Sequence, residues 1–411
     1  MAAGMKTISK TVQIPSAARM TPDNSADVVR AVNEARAAGL RLAVVSTGHG
    51  IAPLGDLSEA FVIDVSGLDS VEIDTAHRIA RVGGGATWES LLEHATRVGL
   101  TAPFGSGGSV GVAGYCLGGG VGPMARFLGL GSSAVRSVDL VTVDGIEMRV
   151  DGISDPELLW GLKGGGSGLG VITALELDLC PMPELTGGML IWPIERAAEV
   201  GPAWAEWTRY APASLTTSLR LVQNEPGEGL AMITVASPAS EGAVAEQLED
   251  LMGMAPVGSS VRGTDPSKFV AENGDPDGGP PVWLEHALID QLPDEAVCAA
   301  IEFADPAKGS ELLMSEFRHL GGALARASSR GGALDQVDAN FSYAAIAPPE
   351  HRLRAEHAAD CLSDFGRGRS LLNFCREPAD PRMVFEPDTI IRLGELHSRL
   401  DPNGVMLTPH R

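Results

Sequence analysis

Residues 105–122 read GSGGSVGVAGYCLGGGVG, and the fold of the chain turns on what so much glycine does there. Glycine costs order in regular structure, so a cluster implies unusual backbone angles or backbone brought against a ligand. The chain holds 50 glycines in 411 residues, and GGG recurs at 83–85, 118–120 and 164–166, all in the first half. Three chemistries compete for the stretch. Gly107-Gly108-Ser109-Val110-Gly111 has the GxSxG spacing of a hydrolase nucleophile elbow, which needs a strand before it and a helix directly after. LTAPFGS before it and GVAGYCLGGG after it read as neither, so the context of a Ser109 nucleophile fails on both sides. A Rossmann loop needs GxGxxG between a strand and a helix, with an acidic residue about 20 positions on. Gly166-Ser167-Gly168-Leu169-Gly170 comes near, but it precedes the strand-like VITALEL, which reverses the order.

The third chemistry is a two-sided diphosphate cradle. VVSTGHG (44–50) ends an apolar run in a turn that holds His49 between two glycines. With 105–111 facing it, both loops offer backbone N–H groups, and helix starts add positive dipole ends. The loops carry little Lys or Arg, which suits neutralisation by backbone. Residue chemistry alone leaves this cradle level with a plain scaffold of turns.

The length suggests two to three domains. With 44% hydrophobic and 20% charged residues, the composition is that of an ordinary globular protein. The net charge of −22 repels phosphate backbones and anionic lipid, which argues against nucleic acid and membrane partners. No apolar run approaches the ~20 residues that span a bilayer. The N-terminal stretch carries Lys6, Lys10 and Arg19 without an apolar core of signal-peptide length, and reads as cytoplasmic. Cys116, Cys180, Cys298, Cys361 and Cys375 are odd in number and scattered, with no CxxC, so neither a disulfide framework nor a zinc site is indicated.

Periodicity orders the rest. SADVVRAVNEARAAGL reads as a helix capped by Ser25 and stopped by Gly39; RLAVVS and AFVIDVS read as strands. SVEIDTAHRIARVGGG predicts a hairpin turning near 75–77, and TWESLLEHATRVGL a helix opened by Thr87. VRSVDLVTVDG and EMRV form a strand pair; DPELLWGL is a helix capped by Asp155, and VITALELDLCP a strand. From 189 the rhythm changes. Strand-like MLIWP, LTTSLRLV and LAMITVA alternate with helical AEVGPAWAEWTRYA and EGAVAEQLEDLMG, which predicts a second α+β unit with an antiparallel sheet. AENGDPDGGPP (271–281) reads as a surface loop, and TIIRLGELHSRLDPNG as a last helix and turn.

RLAVVSTGHG, ARVGGGATWESLLEHATRVGL, GSGGSVGVAGYCLGGGVG and DPELLWGLKGGGSGLGVITALELDL, in that order, resemble the FAD-linked oxidases of the vanillyl-alcohol-oxidase superfamily, berberine-bridge-enzyme-like branch; LLNF…LDPNGVM resembles the branch's C-terminal segment. The resemblance implies an α+β fold: a two-subdomain PCMH-type FAD-binding domain over 1–185, a substrate domain with an antiparallel sheet flanked by helices over 186–365, and a segment 366–411 returning to the flavin domain. It implies FAD held covalently through His49 only, because Gly107 stands where doubly attached members have cysteine. Ser46, Thr47, Gly48 and Gly50 would line the diphosphate beside His49, with Ser106, Gly107, Gly108, Ser109, Val110 and Gly111 facing them. Gly114, Gly118, Gly119 and Gly122 would pass beneath the ring and ribityl chain, Gly170 and Val171 would lie near the adenine, and Asn373 beside the flavin. Cys116 reads as packing.

The implied activity is removal of a hydride from an alcohol, amine or secondary-metabolite substrate, with electrons passed to dioxygen or another acceptor. A flavin-binding protein without turnover is the alternative, and a GxSxG hydrolase the outlier. The partner is a small molecule; a homodimer stays open. The base is where the chain departs from the family, since Leu371 replaces a tyrosine common there. Of Tyr115, Tyr210 and Tyr343, the last is the candidate base, on a strand of the substrate domain. Arg326 is a candidate to hold a substrate anion. Glu285 and His286 read as surface residues. No metal ligands are indicated.

Overall fold

The computed structural model describes residues 15–409 except 183, 226, 275–280, 329 and 376–378. Lys6, Lys10 and most of the loop 271–281 thus lie outside the described residues. Helix Ser25–Ala38 places Val28, Ala31, Val32 and Ala35 on one buried face, at spacings of three and four. Its cap is Asn24, whose side chain accepts the Asp27 N–H, so Ser25 is the first helical residue rather than the cap. Gly39 ends it in the left-handed region at φ 66°. The helix packs on a parallel sheet in which Ala60–Asp64 lies between Ala18–Met20 and Arg41–Val45.

A five-stranded antiparallel sheet follows. The hairpin Val71–Asp74 and Ile79–Gly83 pairs through Ile79–Gly83 with Val171–Asp178, which pairs with Val135–Val141, and that with Glu147–Asp151. Helices Trp88–Thr96, capped by Thr87, and Pro156–Leu162, capped by Asp155, begin where the sequence places them. The GGG at 83–85 has a packing cause. A Cβ on Gly83, Gly84 or Gly85 would sit 2.1, 2.2 or 2.1 Å from the carbonyl oxygens of Leu68, Ile172 and Val65. Here glycine lets backbone lie on backbone.

The large sheet is antiparallel, in the order Gly258–Ser259, Leu185–Pro193, Glu228–Ser237, Thr216–Glu225, Met314–His319, Phe341–Ala347, Trp283–Ile289, with Arg262–Thr264 beside Leu185. Alternation divides its faces. Leu219, Leu221, Phe317, Tyr343, Ala345, Ala287 and Ile289 join the core beneath helices Ala197–Thr208, Asp294–Ala304 and Arg352–Ser363. The intervening Arg220, Glu316, Arg318, Ala344 and His286 take the opposite face, where Arg318 Nη1 donates to the Val121 carbonyl. The helix expected over 241–253 is two, Glu241–Gln247 and Glu249–Gly253, because Leu248 leaves helical geometry at φ −96°, ψ 7°.

Further contacts fasten the parts together. The tail returns to the first sheet, with Leu42 N–H on the Val405 carbonyl and Leu407 N–H on the Leu42 carbonyl, both at 2.8 Å. Arg126 is buried and spans to the large sheet: Nε donates to the Leu215 carbonyl at 2.8 Å, and Nη1 to the Leu320 carbonyl and to His319 Nε2. Burial pushes this guanidinium down to about 10. Among the described residues no helix is long and apolar enough to cross a membrane.

Candidate functional site

Strand Arg41–Val45 ends in a parallel sheet, so the loop Ser46–Gly50 leaves from its carboxyl edge, where open sheets bind ligands. Gly48 takes φ 89°, which turns the chain and sets His49 at the exposed lip. The loop 105–111 faces it. Its carbonyls at Val110 and Gly108 are taken by the N–H groups of Trp88 and Glu89, at the start of the helix Trp88–Thr96. A Cβ on Gly111 would lie 3.5 Å from Ser46 Oγ and 3.6 Å from Thr47 Oγ1, so the loops meet there. His49 Nε2 and Ser109 Oγ are 2.9 Å apart across the gap.

Between the loops lies a cavity of about 360 Å³. It is lined by Ser46, Thr47, Gly48, His49, Gly50, Ser106, Gly107, Val110, Gly111, Gly114, Gly118, Gly170 and Asn373 of the expected residues. Ser46 Oγ is buried there without a partner among the described residues, as a diphosphate oxygen would require. The residues present therefore fit FAD. Asn373 closes the far end: Oδ1 accepts the Gly120 N–H at 2.9 Å and Nδ2 donates to the Tyr115 carbonyl at 3.3 Å. Gly118 makes room for it, since a Cβ would come 2.3 Å from Asn373 Nδ2.

Other expected residues lie off the cavity lining. Gly108 and Ser109 make the loop contacts above. Gly119 packs under Leu334, Gly122 against the Phe104 carbonyl, and Val171 in the core with Val28 and Leu42. Sequence reading missed Tyr115, Gly166, Ser167, Leu284 and Phe374 on the wall. The tyrosine and the two glycine-run residues stood inside quoted motifs. Leu284 and Phe374 carry no signal of their own. The helix Val112–Leu117 follows Ser109 closely, contrary to expectation, because Gly111 is extended and Gly114 and Gly118 do not prevent one short turn-and-a-half. On the other side only the two-residue strand Leu100–Thr101 precedes, and it is separated from Ser109 by loop.

The two candidate chemical residues are not brought to the cavity. Tyr343 is wholly buried among the helix-side residues, its hydroxyl 3.1 Å from Ser315 Oγ, and burial raises its pKa far above the ordinary range. Arg326 is exposed, just after the turn Gly322–Ala325. His286 is a correction in the opposite direction: it is buried, not on the surface. Its position on Trp283–Ile289 has cleft-side parity, one residue from Glu285, which accepts from Trp283 Nε1. His286 Nδ1 meets Ser370 Oγ at 2.9 Å, and its ring stacks on Phe374 with centroids 4.6 Å apart. Burial and the nearby Arg318 push it down to about 3. Beside it stands a buried ion-paired group, with Glu316 between Arg220 Nε at 2.7 Å and Arg318 Nη2 at 2.8 Å.

Comparison with known proteins agrees with this geometry. Residues 16–151 match the model of an FAD binding domain. The chain is 31% identical over 196 residues to the FAD-dependent monooxygenase FUP4 of Fusarium proliferatum, covering 47% of this chain and 38% of that protein. It is 34% identical over 170 residues to (R)-6-hydroxynicotine oxidase of Paenarthrobacter nicotinovorans, covering 41% and 37%. The match thus spans less than half the length of these curated relatives. Among solved structures, 6-hydroxy-D-nicotine oxidase from Arthrobacter nicotinovorans superposes with a TM-score of 0.82 at 24% identity, over 94% of this chain and 90% of that one. Berberine bridge enzyme from Eschscholzia californica superposes with a TM-score of 0.83 at 17% identity, over 96% and 89%. Residues 16–151 thus match an FAD binding domain, and the chain as a whole shares the fold of these two enzymes.

Proposed function

We propose that the chain is an FAD-dependent oxidoreductase that takes a hydride from an alcohol, amine or secondary-metabolite substrate and passes electrons to dioxygen or another acceptor. The observation that carries this reading is the paired-loop cavity with the buried Ser46 Oγ on its wall, which has no partner among the described residues. When bound, FAD supplies the two-electron chemistry. The chain's own residues hold it: Ser46–Gly50 and Ser106–Gly111 carry the diphosphate by backbone N–H groups and hydroxyls, and Asn373 braces the inner wall. We place the flavin domain at 1–185, the substrate domain at 186–365 and the returning segment at 366–411. His49, exposed at the lip and aligned by Ser109, is the proposed point of covalent attachment, alone, since Gly107 offers no thiol. The free described cysteines suit a cytoplasmic protein.

The visible spectrum of the purified protein and its acid precipitate test this. Flavin absorbance is expected, with the colour kept in the pellet and released by His49→Ala. A colourless protein that takes up no FAD overturns the reading; colour released from the wild type overturns the attachment only. A flavin binder without turnover is the second reading, favoured by the distance of Tyr343 and Arg326 from the cavity. It predicts a yellow protein that no alcohol or amine bleaches under anaerobic conditions.

A further inference from the structure

Strand register across the large sheet builds a feature that no single segment shows. Arg220 pairs with Glu316, Glu316 with Ala344, and Ala344 with His286, giving one row across four strands on the cleft face. Three members of the row are long and polar; the fourth is a methyl group. Ala344 stays partly exposed although its strand is paired on both sides, whereas Glu316 and His286 are buried. The row is therefore shortest at Ala344, whose register partners on the two neighbouring strands are Glu316 and His286.

The flanks are chemically specific. Glu316 is clamped by Arg220 and Arg318, which fixes its carboxylate and sets guanidinium donors beside it. His286 Nδ1 is engaged by Ser370, while Nε2 is buried without a partner among the described residues. A residue nine-tenths buried rarely leaves a ring nitrogen unanswered unless something else answers it. The ring is neutral at working pH, because protonation beside Arg318 in a buried site is disfavoured. The surroundings are apolar: Leu284, two residues along the same face, and Phe374, on which the ring stacks, both line the cavity.

The geometry points to a slot over Ala344 as the site for the polar head of the substrate, held by His286 Nε2 on one side and the Glu316–Arg318 pair on the other, and to a neutral hydroxyl on an apolar body as the group it takes. A hydroxyl donates and accepts at once, so it satisfies the imidazole nitrogen, a carboxylate oxygen or a guanidinium N–H together. A carboxylate would face Glu316, and an ammonium would face Arg318, so either charge meets a like neighbour. This rests on the flavoprotein reading, since the flavin reports occupancy.

The test uses the yellow holoprotein, anaerobic and at neutral pH, titrated with 4-chlorophenol, 4-chlorobenzoate and 4-chlorobenzylamine while flavin absorbance is followed. A saturable perturbation by the phenol is expected, with each charged probe about tenfold weaker or more. His286→Phe removes the nitrogen and Ala344→Leu fills the slot from a partly exposed position; each weakens phenol binding about tenfold or more with FAD content and dithionite reduction unchanged. His286→Asn, which can still offer a hydrogen bond, retains part of it. The proposal is overturned if the phenol does not perturb the yellow protein, if a charged probe binds best, or if His286→Phe and Ala344→Leu bind the phenol like the wild type. A protein that never carries flavin overturns the underlying reading instead.

Discussion

Acid should destabilise this protein between pH 7.5 and 5, well above the range where carboxylates protonate. His286 and His319 are both buried, and each is pushed down to about 3 from an ordinary 6.5, chiefly by burial and then by Arg318 and Arg126 respectively. For His319 the geometry is decisive: Arg126 only donates, so Nε2 must keep its lone pair to accept. In the unfolded chain both imidazoles take up protons below pH 6.5, while in the folded chain they do not until about 3. The unfolded state thus binds more protons, and stability falls as pH falls. At pH 5 the gap of about 1.5 units amounts to about 2 kcal/mol for each histidine, about 4 kcal/mol for the pair. That is a large part of the ~5–15 kcal/mol by which a folded protein is stable. Lys163, pushed down to about 8 mainly by burial, acts only above that pH, so it adds no slope in this window. Glu157 and Glu176, held low by hydrogen bonds from Arg392 and Arg149, lose their contribution only below the ordinary carboxylate range. Urea unfolding followed by tryptophan fluorescence at pH 7.5, 6 and 5 measures the slope, in the wild type and in His286→Asn and His319→Asn. Each variant should flatten it by about 2 kcal/mol. An unfolding free energy that stays level from pH 7.5 to 5, or equal slopes in wild type and variants, refutes the reasoning.

Three substitutions probe the flavin module. Gly122→Ala would put a Cβ 1.7 Å from the Phe104 carbonyl oxygen and 2.8 Å from the Tyr115 hydroxyl, so it should yield aggregated protein or a loss of several kcal/mol, read by soluble yield and melting. Gly114→Ala separates folding from cofactor binding. Its Cβ meets nothing within 4 Å, yet Gly114 lines the cavity, so the chain should melt as before and retain less flavin after gel filtration. Asn373→Ala orphans the Gly120 N–H and the Tyr115 carbonyl, which should cost about 1–3 kcal/mol in melting and speed flavin loss from a His49→Ala background.

How far a sequence can be read depends on how many residues a feature needs to be specified. Caps, turns and loop chemistry are spelled within a few positions, which is why Thr87 and Asp155 open their helices and the hairpin turns at 75–78. The loops 46–50 and 105–111 were legible as unusual backbone from their glycines, but only the four motif blocks taken in order made them partners. The GGG at 83–85 was legible only as a close approach: three glycines do not say to what, and here it is chiefly the carbonyls of Leu68, Ile172 and Val65, with Gly84 also on the cavity wall.

The chemistry on the large sheet was not legible, because parity and register belong to the assembled sheet. A shift of one residue exchanges the core face for the cleft face. Tyr343 has the right residue type on the right strand, but it points under the helices, while its silent neighbour Ala344 lies on the cleft face. His286 looked like a surface residue beside Glu285 until its alternation, the Ser370 contact and the Phe374 stack buried it. The sequence by itself determined the local turns and the glycine-lined loops. Only the tertiary structure decided which side chains from strands of the large sheet, far apart in sequence, share one row, because that choice is made by hydrogen-bond registers between segments that carry no mark of one another.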